Sequence, residues 1–162
     1  MKLKKGDKIP TGELFYFDKD KKVKKIETEI LFKDQKIIMF GVPGAFTSIC
    51  SAKHLPGFIK NAEEAKKKGV TKIICISVND PFVMNAWGEA HSVKDKILLV
   101  ADPFCKFIKE IGADVDKSER GLGIRSSRFA MLIDNSIVKQ IKEEKDTANC
   151  EISSAENFLK EI

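Results

Sequence analysis

Three short apolar runs, KIIMFGV (36–42), TKIICISV (71–78) and ILLVA (97–101), are the feature that most narrows what this chain can fold into. A strand with one wet face alternates apolar and polar residues, whereas an unbroken β-branched run fits a strand covered on both faces. Helical spacing fills the gaps between the runs. After the first, Leu55, Phe58, Ile59, Ala62 and Ala65 recur at helical intervals. There Gly69 supplies a C-cap, and Pro56-Gly57 should kink or divide the helix. After the second, NDPFVMNAWGEA opens with a capping Asn79 or Asp80 and Pro81 near the first helical position. After the third, DPFCKFIKEIG places Asp102 at a cap, Pro103 inside the start and Gly112 past the end.

Strands that alternate with helices are joined by crossovers and run parallel. Hairpins frame this unit. GELFYFD and KVKKIET flank the turn DKDK near the N-terminus, and RFAMLID and SIVKQI meet at Asp134-Asn135. A last helix begins at SSAE, where Ser153 and Glu156 have the spacing of a capping box. The reading is an α/β sandwich: a central mixed sheet, helices on both faces and an N-terminal β-hairpin, an order compatible with a thioredoxin-like fold. With 162 residues the chain is expected to form a single domain over 1–162.

Composition excludes some functions. The net charge of +5 comes mainly from lysines in 19–25 and 66–68, without an arginine stripe or interleaved aromatics. These read as solvated faces and not as a nucleic-acid surface. No apolar stretch approaches the ~18 residues of a membrane helix, and the start MKLKKGDKIPTGELFYF lacks the pattern of a signal or transit peptide. No membrane partner and a cytoplasmic location are therefore expected. The four cysteines, Cys50, Cys75, Cys105 and Cys150, form no C-x-x-C pair, and His54 and His91 offer no ligand pair, so no metal site is expected. Reduced thiols are the expected state.

PGAFTSICS (43–51) places Cys50 in the first turn of a helix at the carboxyl end of a strand. Unpaired N–H groups and the helix dipole there favour an anion. A buried free cysteine is equally often simple packing, and position alone leaves both readings open. The neighbours carry further weight. Thr47 stands one turn earlier, where its hydroxyl can face the sulfur or cap the helix. Pro43 stiffens the strand exit, and Gly44 lets backbone come close.

PGAFTSIC fits P-x-x-x-T-x-x-C and resembles the peroxidatic motif of the peroxiredoxins. FGVPGAFTSICSAKHLPGF (40–58), ISVNDPFVMNAW, GLGIRSSRFAMLID and SSAENFLKEI are similar to its type II, or fifth, subfamily, in order along nearly the whole chain. The resemblance implies a thiol peroxidase on a thioredoxin-like fold, with no metal, haem or flavin cofactor. It makes Cys50 the peroxidatic cysteine, Thr47 its hydroxyl partner and Pro43 its shield. The active-site arginine maps to Arg128, which precedes Phe129, in preference to Arg125. Phe46 is expected to line the pocket or a homodimer interface. One departure is visible: Ser48-Ile49 stands where the family has Pro-Thr.

The resemblance also implies reduction of hydrogen peroxide and alkyl hydroperoxides through a Cys50 sulfenic acid. Glutathione, glutaredoxin or thioredoxin would recycle it. Cys75 matches a second cysteine of plant-like members and Cys150 lies near the resolving cysteine of animal-like ones; an external thiol is preferred, with Cys75 the better internal candidate. Cys105 has no counterpart and reads as packing. His54, one turn after Cys50, reads as structural, and Trp87 as core or dimer contact. The alternatives are a redox sensor or chaperone-like binding module on the same fold, and a thiol–disulfide oxidoreductase, which the missing C-x-x-C disfavours.

Overall fold

The computed structural model describes residues 1–162. The N-terminal hairpin is β1 (Glu13–Phe17) and β2 (Val23–Glu27), followed by the short helix α1 (Thr28–Phe32). Strand β3 (Lys36–Gly41) leads to a π-helical turn at Cys50–His54, then α2 (Leu55–Lys60) and α3 (Ala62–Lys67). Strand β4 (Lys72–Ser77), helix α4 (Pro81–Ala90), strand β5 (Leu98–Ala101) and helix α5 (Lys106–Glu110) complete the alternating part. The three-residue strands β6 (Asp114–Asp116) and β7 (Ile124–Ser126) precede β8 (Phe129–Asp134), β9 (Ile137–Glu143) and α6 (Ala155–Lys160).

Seven strands form one mixed sheet in the order β2-β1-β5-β4-β3-β8-β9. The pairs β3–β4 and β4–β5 are parallel, and their registers place Phe40 beside Cys75 and Cys75 beside Leu99. Antiparallel β8 sits on the other side of β3, with Gly41 opposite Phe129. Gly41 has to be glycine, since a Cβ there would fall 2.2 Å from the Phe129 ring. Both faces of the sheet are dry. Ile38, Phe40, Cys75 and Leu132 pack with Cys50, Leu55, Phe58, Trp87 and Phe158 on one face. Ile37, Met39, Ile74 and Met131 pack with Phe32, Phe107 and Ile108 on the other. The expected two-sided sandwich is present, and double coverage explains why its central strands read as unbroken apolar runs.

Local details differ from the sequence reading. The helix after Cys50 divides at Asn61, not at Pro56-Gly57: the Asn61 backbone N–H and side-chain amide both donate to the Gly57 carbonyl. Pro56 has no N–H to donate, and the π-helical turn directly precedes the segment that contains it. Asp80, not Asn79, caps α4 through Val83 N–H. Asp102 accepts from the N–H groups of Lys106 and Ile108, but Pro103 lies outside α5, in a turn that Cys105 closes at φ 53°. Ser154, not Ser153, caps α6, because the Ser153 hydroxyl donates to Glu144 instead. The ribbon β6–β7 was not foreseen; three residues such as Asp-Val-Asp carry too little pattern to register as a strand.

Candidate active site

The loop from Val42 to Thr47 carries the chain off the end of β3. Ala45 N–H donates to Asn79 Oδ1, which also accepts from the Ser77 hydroxyl, so the loop is pinned to the end of β4. Phe46 takes a left-handed backbone (φ 61°) that turns its ring outward, 59% exposed. Gly44 packs tightly, as a Cβ would lie 3.1 Å from Arg125 Nη1. The helix begins at Ser48, with the Thr47 carbonyl accepting from Ser51 N–H at 3.0 Å. Thr47 therefore holds the N-cap position and Cys50 the third residue of the first turn. The Thr47 hydroxyl donates to the Gly44 carbonyl at 2.7 Å. Its proton is thus committed, and its oxygen is free to accept from an arriving O–H.

Cys50 is fully buried, and Arg128 Nη2 donates to its sulfur at 3.4 Å. Arg128 arrives from the residue before β8, and the Gly41–Phe129 register brings it beside the loop that leaves β3. Its other donors are also placed. Nε and Nη2 reach the Thr147 carbonyl at 3.1 and 2.9 Å, and Nη1 reaches His54 Nδ1 at 3.2 Å. Because a guanidinium can only donate, Nδ1 accepts and the imidazole proton sits on Nε2, which faces the Ser153 carbonyl at 3.0 Å. Burial first, and the Arg128 charge second, lower the His54 pKa to about 3, so the ring stays neutral.

Arg128 is only 2% exposed and forms no ion pair with any carboxylate. A guanidinium remains charged, and burying it without a counter-ion is costly. Cys50 is the only group touching it that can become an anion. Burial, then the proximity of Cys50, pushes Cys75 well up, and burial pushes Cys105 up in the core across the sheet. Burial raises half-exposed Cys150 as well, although the Arg128 charge opposes it. All four cysteines are free.

A cavity of about 100 Å³ lies over this centre, lined by Pro43, Thr47, Ile49, Leu122, Arg128 and Thr147 among others. Cys50 itself is not part of the lining; Arg128 lines the cavity and also contacts the Cys50 sulfur. Arg125, the other arginine of the segment, reaches the Leu122 and Pro43 carbonyls at 2.7 and 3.5 Å and braces the wall without contacting sulfur. Trp87 is core: its indole N–H donates to the Ser51 hydroxyl and supports the turn beside Cys50. The much larger depression of about 910 Å³ between the hairpin, α3 and α4 contains no cysteine or histidine.

Thr147 and Glu144 were not singled out from sequence. Thr147 acts through its carbonyl, which no side-chain pattern reports. Glu144 fixes the loop that presents it, accepting from Glu151 N–H, Ser153 N–H and the Ser153 hydroxyl at 2.7, 2.9 and 2.8 Å.

The sequence profile of the Redoxin family matches residues 4–159. Peroxiredoxin-2D of Arabidopsis thaliana is 43% identical over 157 residues, covering 97% of this chain and 96% of the relative. The chain belongs to the peroxiredoxin family. Peroxiredoxin-2C of Oryza sativa subsp. japonica is equally similar at 43%. Among solved structures, reduced Prx3 of Vibrio vulnificus in complex with hydrogen peroxide superposes with a TM-score of 0.93 at 40% identity, over 98% of each chain. This peroxiredoxin is a thiol-dependent peroxidase with an antioxidant role, of the type II subfamily, on the expected thioredoxin-like fold. No helix is long and apolar enough to cross a membrane.

Proposed function

We propose that Cys50 is the peroxidatic nucleophile and that hydrogen peroxide and alkyl hydroperoxides are its substrates. The observation that carries this reading is the buried, carboxylate-free Arg128 resting on the Cys50 sulfur. The thiolate attacks the near oxygen of ROOH along the O–O axis. The S–O bond forms as the O–O bond breaks, sulfur loses two electrons, and RO⁻ takes a proton from water to leave as alcohol, or as water when R is hydrogen. Arg128 stabilises the anion before attack and the charge that moves onto oxygen during it. Thr47 Oγ accepts the peroxide O–H, since its own proton is held by Gly44. Pro43 walls the cavity without offering a competing N–H.

The resulting sulfenic acid condenses with a thiol, releasing water and forming a disulfide. An external thiol, small or on glutaredoxin or thioredoxin, is the reductant in this reading. Cys75 is locked between two paired strands, so bonding to it would require the Cys50 turn to unwind. Cys150 stands in a half-exposed loop outside the sheet and is the other internal candidate. The chain works in the cytoplasm as a homodimer in the same reading. Phe82 and Phe104, each 66% exposed, pack on Phe17 and Phe15 of β1 and, with Phe46, offer apolar surface for a second copy.

The test is peroxide consumption driven by dithiothreitol. Cys50→Ser is expected to abolish turnover, and Arg128→Gln to lower kcat/KM by about 10²–10³-fold. Oxidation that stops after one peroxide per Cys50 would replace the enzyme by a sensor. Full turnover by Cys50→Ser would remove the assignment. Mass spectrometry after one equivalent of peroxide separates a mixed disulfide at Cys50 from a Cys50–Cys75 or Cys50–Cys150 bond.

A further inference from the structure

The cavity lined by Thr47 and Arg128 has no carboxylate in its lining, yet it carries two cations that peroxide reduction does not call for. Lys117 and Arg120 line it from the segment between β6 and β7, joining Arg128. Neither side chain donates a hydrogen bond or enters an ion pair anywhere in the chain. The segment is shaped by its own backbone: Lys117 N–H bonds the Gly123 carbonyl, Arg120 N–H bonds the Lys117 carbonyl, and Gly121 and Gly123 turn with φ of 70° and 67°. The carboxylates closest in sequence to the lining residues are engaged or outside it. Asp116 accepts Ser118 N–H, Asp146 accepts Ala148 N–H, and exposed Glu119 is not part of the lining.

Hydrogen peroxide is neutral, and Arg128 alone serves the sulfur. A mouth with two spare cations and no anion of its own raises the local concentration of small anions. From this we infer that Lys117 and Arg120 form a subsite for a carboxylate carried on the reacting small molecule, either a hydroperoxide acid or a thiol acid. The inference rests on the reading of Cys50 given above. The cavity holds the reacting end, –OOH or –SH, while the carboxylate stays at the rim. For the hydroperoxide the chemistry is Cys50–S⁻ + ROOH + H⁺ giving Cys50–SOH and ROH. For the thiol it is Cys50–SOH + R′SH giving Cys50–S–S–R′ and water, after which a second R′SH releases R′S–SR′.

The experiment compares each acid with its neutral ester, with hydrogen peroxide turnover recorded alongside. The hydroperoxide pair is 4-hydroperoxy-4-methylpentanoic acid and its methyl ester, reduced with dithiothreitol. The thiol pair is 3-mercaptopropanoic acid and its methyl ester, added to Cys50 sulfenic acid. At low ionic strength the acid-to-ester ratio of rate constants is expected to exceed about 5 in at least one pair and to fall towards one at ~0.3 M salt. In Lys117→Gln/Arg120→Gln the low-salt ratio should fall towards one. Preference in the first pair alone identifies the peroxide as the anion carrier, and in the second alone the reductant. Ratios near or below one in both pairs, or a ratio that the double variant leaves intact, overturn the subsite. Loss of hydrogen peroxide turnover in the unmodified protein would instead overturn the Cys50 reading, so the two failures are distinct.

Discussion

At the scale of single residues, His54 shows how a side chain can matter without touching substrate. Read from sequence it was structural, and its neutral ring agrees with that, since a base held near pKa 3 takes no proton at working pH. The geometry adds a positioning role: Nδ1 accepts from the guanidinium that bears on Cys50. His54→Leu keeps the apolar packing against Phe40 and Phe58 but leaves Arg128 Nη1 and the Ser153 carbonyl without partners. Sulfenic acid formation should slow by about tenfold, the value of one hydrogen bond to a charged group. His54→Gln, which can both accept and donate, should recover most of the rate. Equal losses in both variants, accompanied by equal falls in Tm, would reduce His54 to packing. Cys50 and Thr47 stood out as candidates in sequence because their side chains carry the motif, whereas Arg128 was reached only through the family resemblance. Thr47's direction of donation was not legible, because it depends on where the Gly44 carbonyl points.

At the scale of elements, the buried parallel strands were legible because two-sided burial writes itself as an unbroken apolar run. Helix ends were less so. Ser153 and Glu156 have capping-box spacing, but a carboxylate from the end of β9, Glu144, claims Ser153. No local pattern reports such a tertiary competitor. Glu144 is the clasp of the segment 145–153, which brings the Thr147 carbonyl to Arg128 and contains Cys150. Glu144→Leu removes the acceptor of three donors and should cost about 1–3 kcal/mol. Hydrogen exchange across 145–153 should quicken, and Cys150 should react faster with a bulky thiol reagent. Glu144→Gln, which keeps one carbonyl oxygen, should fall between the two. Unchanged exchange in Glu144→Leu would show that Arg128 alone holds the segment.

For the molecule as a whole, the neutral buried imidazole ties stability to acidity. Unfolded, His54 titrates near its ordinary 6.5; folded, it stays neutral to about 3. Between those values the unfolded chain binds a proton that the native state refuses, so stability rises with pH across the window, is complete above it and is lost on acidification. The effect at pH 5 depends only on the unfolded pKa and on native neutrality, and amounts to about 2 kcal/mol. In a domain of this size that is a fall in Tm of about 4–8 °C between pH 7.5 and 5. Asp102, raised by burial, acts in the opposite sense above its ordinary value, losing stability as pH rises through its native pKa. Its contribution is common to wild type and variant and cancels when they are compared. Arg128 is the charged group that faces His54, and it is common to both proteins. His54→Gln should therefore lose less Tm than wild type between pH 7.5 and 5, by about the same 4–8 °C. Parallel Tm curves for the two proteins would mean that the native ring takes up its proton, and an imidazolium could not accept the Arg128 hydrogen bond that shapes the site.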